Sequence, residues 1–154
     1  MTALERLQFA IRNLPGILAG IADAEAGKRP TPERWCKKEI IGHLIDSASN
    51  NHQRFVRAQI VGKLEFPRYE QEAWVRVQQY QSAKWLDLID LWRAYNLHLL
   101  HVVTCMSDEG RRSTCRIGDG REVMLGEMFE ECVNHIEHHL RKMLGEWPVS
   151  GNDM

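Results

Sequence analysis

Seven histidines mark the chain of 154 residues: His43, His52, His98, His101, His135, His138 and His139. Three of them fall in one stretch, Asn134-His135-Ile136-Glu137-His138-His139-Leu140. His135 and His139 are four residues apart, so on a helix they lie one turn above each other and can grip one metal ion. The same spacing also suits two boundary histidines that hydrogen-bond to a neighbouring helix. A metal centre needs at least a third ligand, and His43 and His52 are the upstream candidates. Other chemistries have less support. The chain has no G-x-S-x-G elbow, phosphate-binding loop, G-x-G-x-x-G or H-E-x-x-H. Cys132 stands one turn before His135 and Ile136 on an apolar face, which reads as a small core residue rather than a nucleophile. Arg111, Arg112, Arg116 and Arg121 cluster around a turn, which reads as a solvated surface in preference to an anion-binding mouth.

Helical periodicity dominates the elements that must position these side chains. Leu4, Leu7, Ile11, Leu14, Leu18 and Ile21 predict a first helix over about 2–26, with a kink at Pro15. The Gly27–Pro32 stretch breaks the pattern, and Thr31 before Pro32 suits a short turn leading to Trp35. Ile41, Leu44, Ile45, Ala48, Phe55 and Val56 predict a second helix over about 37–62. An aromatic, polar loop follows over about 63–80, with a helical piece expected around Glu70–Gln79 and enough length for a crossover. Trp85, Leu88, Trp92, Tyr95, Leu99, Val103 and Met106 predict a third helix over about 82–106. Gly118-Asp119-Gly120, flanked by Ser113–Ile117 and Arg121–Val123, predicts a small hairpin. A fourth helix is expected over about Leu125–Leu144, then an irregular tail over 145–154. Four long amphipathic helices and one hairpin amount to an all-α four-helix bundle, a single domain over 1–154.

Wheel geometry sorts the histidines. The apolar stripe of the fourth helix is Phe129, Cys132, Val133, Ile136, Leu140 and Met143. At roughly 100° per residue, His139 lies roughly 70° and His135 roughly 110° from its centre. Both flank a helix–helix seam, while His138 points towards solvent. On the second helix His52 lies nearer the apolar stripe, and His43 shares a polar stripe with Ser47, Asn50 and Arg54. Periodicity alone therefore favours His52 as the inward residue. His98 and His101 lie away from the apolar stripe of the third helix and read as a surface or dimer-facing pair.

Composition excludes several classes. Twenty basic residues face 21 acidic ones, which argues against a nucleic-acid footprint. Hydrophobic residues make up 44% and charged residues 27%, an ordinary globular balance. No apolar run approaches the length of a membrane span, and the first residues lack a signal-peptide pattern. Cys36, Cys105, Cys115 and Cys132 form no C-x-x-C, so the expectation is a reduced, cytoplasmic protein without membrane association.

Trp35-Cys36-Lys37-Lys38-Glu39-Ile40-Ile41-Gly42-His43-Leu44-Ile45-Asp46-Ser47, followed by Arg54-Phe55, resembles the second helix of the DinB/YfiT-like superfamily. Tyr95-Asn96 and the Asn134–Leu140 stretch extend the resemblance over nearly the whole chain. The combination of a G-H-L-x-D helix with a later H-x-x-x-H helix is the specific feature. The resemblance implies a four-helix bundle with a crossover connection and a divalent metal, usually nickel or zinc, held by His43, His135 and His139. It thus replaces His52 by His43. It also implies a homodimer and a small-molecule substrate. Family activities include thiol-dependent transfer or isomerisation, with a low-molecular-weight thiol as partner, and metal-dependent hydrolysis. Asp46 and Glu131 are the positional candidates for orienting the imidazoles, and Ser47, Asn50 and Arg54 for lining the pocket, Arg54 as a carboxylate holder. One departure is Cys36, which stands where the family often has a helix-capping serine. A thiol caps poorly, so the start of the second helix is expected to be less fixed.

Overall fold

A computed structural model describes residues 1–147. The expectation for the tail falls mostly on residues 148–154, which lie outside the described residues. The elements in chain order are α1 (Ala3–Ala19), α2 (Asp23–Ala26), α3 (Lys37–Val61), β1 (Lys63–Phe66), α4 (Gln71–Gln78), α5 (Trp85–Thr104), α6 (Asp108–Arg112), β2 (Thr114–Ile117), β3 (Glu122–Met124) and α7 (Leu125–Leu144). A 3-10 turn at Tyr80–Ser82 joins α4 to α5.

Local chemistry explains most boundaries. Thr2 and Glu5 form a reciprocal capping box at the start of α1. The expected first helix stops early: Gly20 caps it, and Asp23–Ala26 forms a separate turn of helix. Pro15 lies inside α1, and the helix continues through it. The start of α3 is better fixed than its cysteine suggests. The Glu39 carboxylate accepts the Cys36 amide at 2.9 Å, the thiol completes the capping box as a weak acceptor, and Arg29 holds Glu39 from outside. The expectation of a loose helix start is therefore corrected: Glu39, held by Arg29, satisfies the Cys36 amide, and the thiol stands in the place of the missing hydroxyl. At the other end of the chain Gly145, at φ +84°, ends α7 in a conformation that side chains disfavour.

The four long helices pack in an order that differs from simple up-and-down succession. Both α1 and α3 pack against α5 and α7. Helices α1 and α3 therefore lie across one diagonal, and α5 and α7 across the other. The long 62–84 connection joins neighbours, α3 and α5, and is not the crossover. The diagonal crossings are made by the segments that contain α2 and α6. This arrangement places α3 directly beside α7. The core between the four helices includes Leu7, Leu14, Leu18, Ile41, Leu44, Phe55, Trp85, Trp92, Leu99, Leu125 and Leu140, each at most 1% exposed. Full burial of such side chains is worth about 1.5–3 kcal/mol each before the entropy of ordering them.

Two further contacts fix the seam around α7. Arg6 of α1 donates to Asn134 Oδ1 and to the buried Glu137 carboxylate, both at 3.0 Å, and Arg141 also reaches Glu137 at 3.0 Å. The expected hairpin is present as β2 and β3, and it carries a third strand that periodicity did not show. Strand β1 runs parallel to β2, pairing Leu64 with Cys115, which in turn faces Val123. All three are buried, and they form the sheet's inner face. The expected loop of 63–80 is thus tied down at its first residues by β1, and the helical piece expected within it is α4.

Candidate metal centre

The side-by-side packing of α3 and α7 brings three of the seven histidines together. His43, His135 and His139 each offer a ring nitrogen, and these atoms lie within 4.8 Å of one another. Among the described residues this is the one group of three or more such side chains with that compactness. The Nε2 atoms of His43 and His135 are 3.2 Å apart. That separation matches the edge of a tetrahedron whose centre lies about 2.0 Å from each nitrogen, the usual zinc–imidazole length. The His43 ring meets the His135 and His139 rings at 5.1 and 4.8 Å between centroids. Trp35 covers its remaining side at 5.1 Å.

His43 is fully buried, whereas His52 is only half-buried. The wheel preference for His52 is therefore corrected. The reason is that α3 is buried on more than its apolar stripe: Lys38, Glu39, His43, Asp46, Asn50, Asn51 and Arg54 are also enclosed. Its polar side faces α7 and the cleft, not water. His52 instead approaches Tyr95 Oη at 3.4 Å and the His98 ring at 4.9 Å, away from the cluster. His98, His101 and His138 are exposed.

Electrostatics keeps the three imidazoles neutral, the form that binds metal. Burial, reinforced by His135, lowers the His43 pKa to about 4. Burial lowers that of His139 to about 3, with His135, His43, His138 and Lys142 adding repulsion. Burial and then His138 lower that of His135. The residues therefore fit a divalent metal by their chemistry: three compact nitrogen donors, already deprotonated, two of whose Nε2 atoms stand 3.2 Å apart.

The residues expected to surround the cluster are divided. Asp46 does not hydrogen-bond to an imidazole. It accepts from Tyr80 Oη at 2.6 Å and from Gln78 Nε2 at 2.8 Å. Glu131 is exposed and bonds to Arg121 at 3.0 Å. Asn50 donates to the Asp46 carbonyl at 2.9 Å and borders a separate cavity with Phe66 and Trp74. Ser47, Arg54 and Glu131 do line a cavity of about 310 Å³ that reaches His135, together with Arg68, Tyr69 and Cys132. A second cavity of about 350 Å³ reaches His139 from the other side, between Lys28, Arg34, Trp35 and Lys142. Cys132 is a buried core residue: Asn51 donates to its sulfur at 3.2 Å, and burial pushes its pKa to about 11. The arginines of the hairpin are engaged at the surface, Arg121 with Glu127 at 2.7 Å and Arg116 with Glu65 at 3.8 Å.

Sequence reasoning missed Tyr80, Tyr69 and Arg68. Tyr80 gives the G-H-L-x-D motif a further reason. Its ring lies so close to Gly42 that an added Cβ would fall 2.1 Å from Cδ2, while its hydroxyl meets Asp46. Gly42 and Asp46, four residues apart, therefore form one receptor for Tyr80, and His43 projects from between them.

Fold and cluster together define a class: a four-helix bundle with diagonal connections whose three-histidine cluster opens to two cavities. The chain belongs to the DinB superfamily, whose sequence profile matches residues 6–143. No curated protein matches it in sequence. Among solved structures it is similar to YfiT from Bacillus subtilis, described as a probable metal-dependent hydrolase with an unusual four-helix bundle topology. That similarity has a TM-score of 0.82 at 16% identity, over 92% of this chain and 81% of YfiT. It is also similar to a mycothiol-dependent maleylpyruvate isomerase, with a TM-score of 0.73 at 16% identity, over 90% of this chain. This chain spans only 58% of the isomerase's length. At these identities the likeness is one of fold.

Proposed function

We propose that this protein is a metal-dependent enzyme acting on a small molecule, with His43, His135 and His139 as the ligands of a divalent ion, nickel or zinc. The compactness of the three neutral imidazoles carries the proposal. Three protein ligands leave a coordination position for water or substrate, the pattern of a catalytic centre. When bound, the metal would lower the pKa of water or of a thiol, or polarise a carbonyl. The chain's own residues supply the rest. Helices α3 and α7 hold the imidazoles, Trp35 packs on His43, and the cavity beside His135 admits the ligand. The descriptions of YfiT and of the isomerase support two chemistries on this centre, hydrolysis and thiol-dependent isomerisation or transfer, the latter with a low-molecular-weight thiol as partner.

A second reading is a non-catalytic metal-binding bundle. Access favours the enzyme. Trp74 packs at a tilt against Tyr69 at 4.9 Å and borders a different cavity, so it does not plug the cluster. A homodimer in a reducing cytoplasm belongs to the same proposal; no helix among the described residues is long and apolar enough to cross a membrane.

The test is metal content by mass spectrometry on protein purified without an affinity tag. Near-stoichiometric nickel or zinc is expected in the native chain and in His138→Ala, and loss of it in His43→Ala and His135→Ala. Metal retained by His135→Ala, or lost by His138→Ala, would show the ligand set to be wrong.

A further inference from the structure

The cavity beside His135 contains a charge that the protein does not neutralise. Arg54 is 7% exposed. Its Nη1 donates to Asn51 Oδ1 at 3.0 Å, and its guanidinium lies 5.0 Å above the Phe66 ring. Neither neighbour carries a negative charge. The Nε atom is buried without a partner, and Nη2 makes no hydrogen bond within the described residues. No carboxylate of those residues pairs with Arg54. Glu131, which borders the same cavity, is engaged with Arg121; Asp46 accepts from Tyr80 and Gln78 through Oδ1, and its buried Oδ2 has no hydrogen-bond partner among the described residues, Arg54 included. Burial lowers the pKa of Arg54, but a guanidinium this basic stays charged.

A buried, unpaired cation is costly, and the cost is recovered when an anion arrives with matching geometry. Nη2, which makes no hydrogen bond among the described residues, can donate to a carboxylate oxygen, while Nε is enclosed without a partner. Two further groups of the cavity favour the same ligand. The half-buried Tyr69, its pKa pushed up to about 12 by burial, keeps its hydroxyl as a neutral donor, and Ser47 lies on the same wall. Of the two guanidiniums on the wall, Arg68 is paired with Asp119 and Arg54 alone lacks a counter-charge, which suits a monoanion better than the more highly charged phosphate.

We propose that Arg54 is the specificity residue of this cavity, holding the carboxylate of an organic acid whose other end lies at the histidine cluster. The second half of that statement rests on the function proposed above. The first half stands on Arg54 and its surroundings. In about 310 Å³ the cavity accommodates a short organic acid, with Arg54 and His135 on its wall.

Two arms test the proposal separately. In the first, cobalt-loaded protein is titrated with 3-mercaptopropionate and with the neutral 2-mercaptoethanol, binding being read from thiolate-to-cobalt absorption. The acid is expected to bind about tenfold or more tightly than the neutral thiol in the native chain, from a charged hydrogen-bonded pair. The preference should vanish in Arg54→Met, with the neutral thiol unaffected. Absence of the preference in the native chain, or its survival in Arg54→Met, overturns the assignment. In the second arm, metal-free protein is melted with sodium butyrate, sodium phosphate or sodium chloride at equal ionic strength. Butyrate should raise the melting temperature of the native chain above the chloride value, and not that of Arg54→Met. Equal responses in the two proteins, or a shift with phosphate as large as with butyrate, overturn it. Failure to load cobalt would count against the metal-centred function, while the butyrate arm still decides on Arg54. Should Arg54→Met not fold, Arg54→Lys keeps the charge and removes the fork, and the preference for the acid should fall in it.

Discussion

The imidazoles of His43 and His139 make the metal-free protein sensitive to acid. Their folded-state pKa values of about 4 and about 3 lie below the ordinary 6.5 that the unfolded chain restores. Between those values the unfolded chain binds more protons, so protonation favours unfolding. The contribution is fully present above pH 6.5 and is lost as pH falls through 4 and 3. Melting temperatures of the metal-free protein should therefore decline below pH 6.5 more steeply than those of a His43→Asn/His139→Asn variant. Parallel profiles would show that these rings titrate normally. At this scale the sequence was legible in part. The i,i+4 pair on α7 marked His135 and His139 as seam residues without help from any relative. His43 was not legible from periodicity, because a hydrophobic stripe says nothing about a polar face that another helix covers. It took the G-H-L-x-D resemblance to place His43 with the other two, and the all-round burial of α3 explains why the wheel pointed to His52. Arg54 shared a face with His43 in the sequence, yet its lack of a counter-charge depends on where every carboxylate ends up.

Helix α3 and the turn after α4 are coupled through Gly42. A methyl group at that position would overlap the Tyr80 ring, whose atoms stand 2.1 to 2.5 Å from the ideal Cβ. Overpacking of this kind costs about 1–3 kcal/mol. Gly42→Ala should lower the urea midpoint accordingly, and removing the Tyr80 ring should remove the clash. The Gly42→Ala/Tyr80→Ala double variant is then expected to be less destabilised than the sum of the two single changes. Strict additivity would contradict the close approach. Long elements with strong patterns were the readable ones: the fourth helix was placed at about Leu125–Leu144, and α7 has those bounds. Strand β1 was not readable. Its four residues carry a two-residue alternation, and the partner it pairs with, β2, lies far along the chain. The break after Ala19 was hidden for a related reason, since Ile21 continues the apolar spacing beyond the helix that Gly20 has already ended.

Helices that are neighbours in space but not in sequence supply the cluster, so metal binding and the bundle's stability are linked. An ion held only by the folded chain at about a hundredfold its dissociation constant adds about 2.7 kcal/mol. For a domain of this size each kcal/mol moves the melting temperature by roughly 2–4 °C. Zinc or nickel should therefore raise the melting temperature of the native chain by roughly 5–10 °C, reversibly on chelation, and leave His135→Ala unmoved. The order of packing explains why the whole was less legible than its parts. Loop length suggested a crossover between the second and third long helices, but length permits a path without requiring one. The actual diagonals are made by the shorter segments around α2 and α6, whose geometry is decided by which helix faces fit together.

The same arrangement separates two tasks along the chain. The histidines stand on α3 and α7, whereas the outer wall of the neighbouring cavity draws Arg68, Tyr69 and Gln71 from the segment that runs from the end of β1 into α4. That segment is anchored to the frame by strand pairing of β1 before it and by Tyr80 just after α4. Substitutions or insertions within it can alter the shape and polarity of the rim while the imidazoles keep their spacing. The bundle thus works as a chassis with a separate panel, and changes to that panel would reshape the cavity's rim without touching the residues that α3 and α7 contribute.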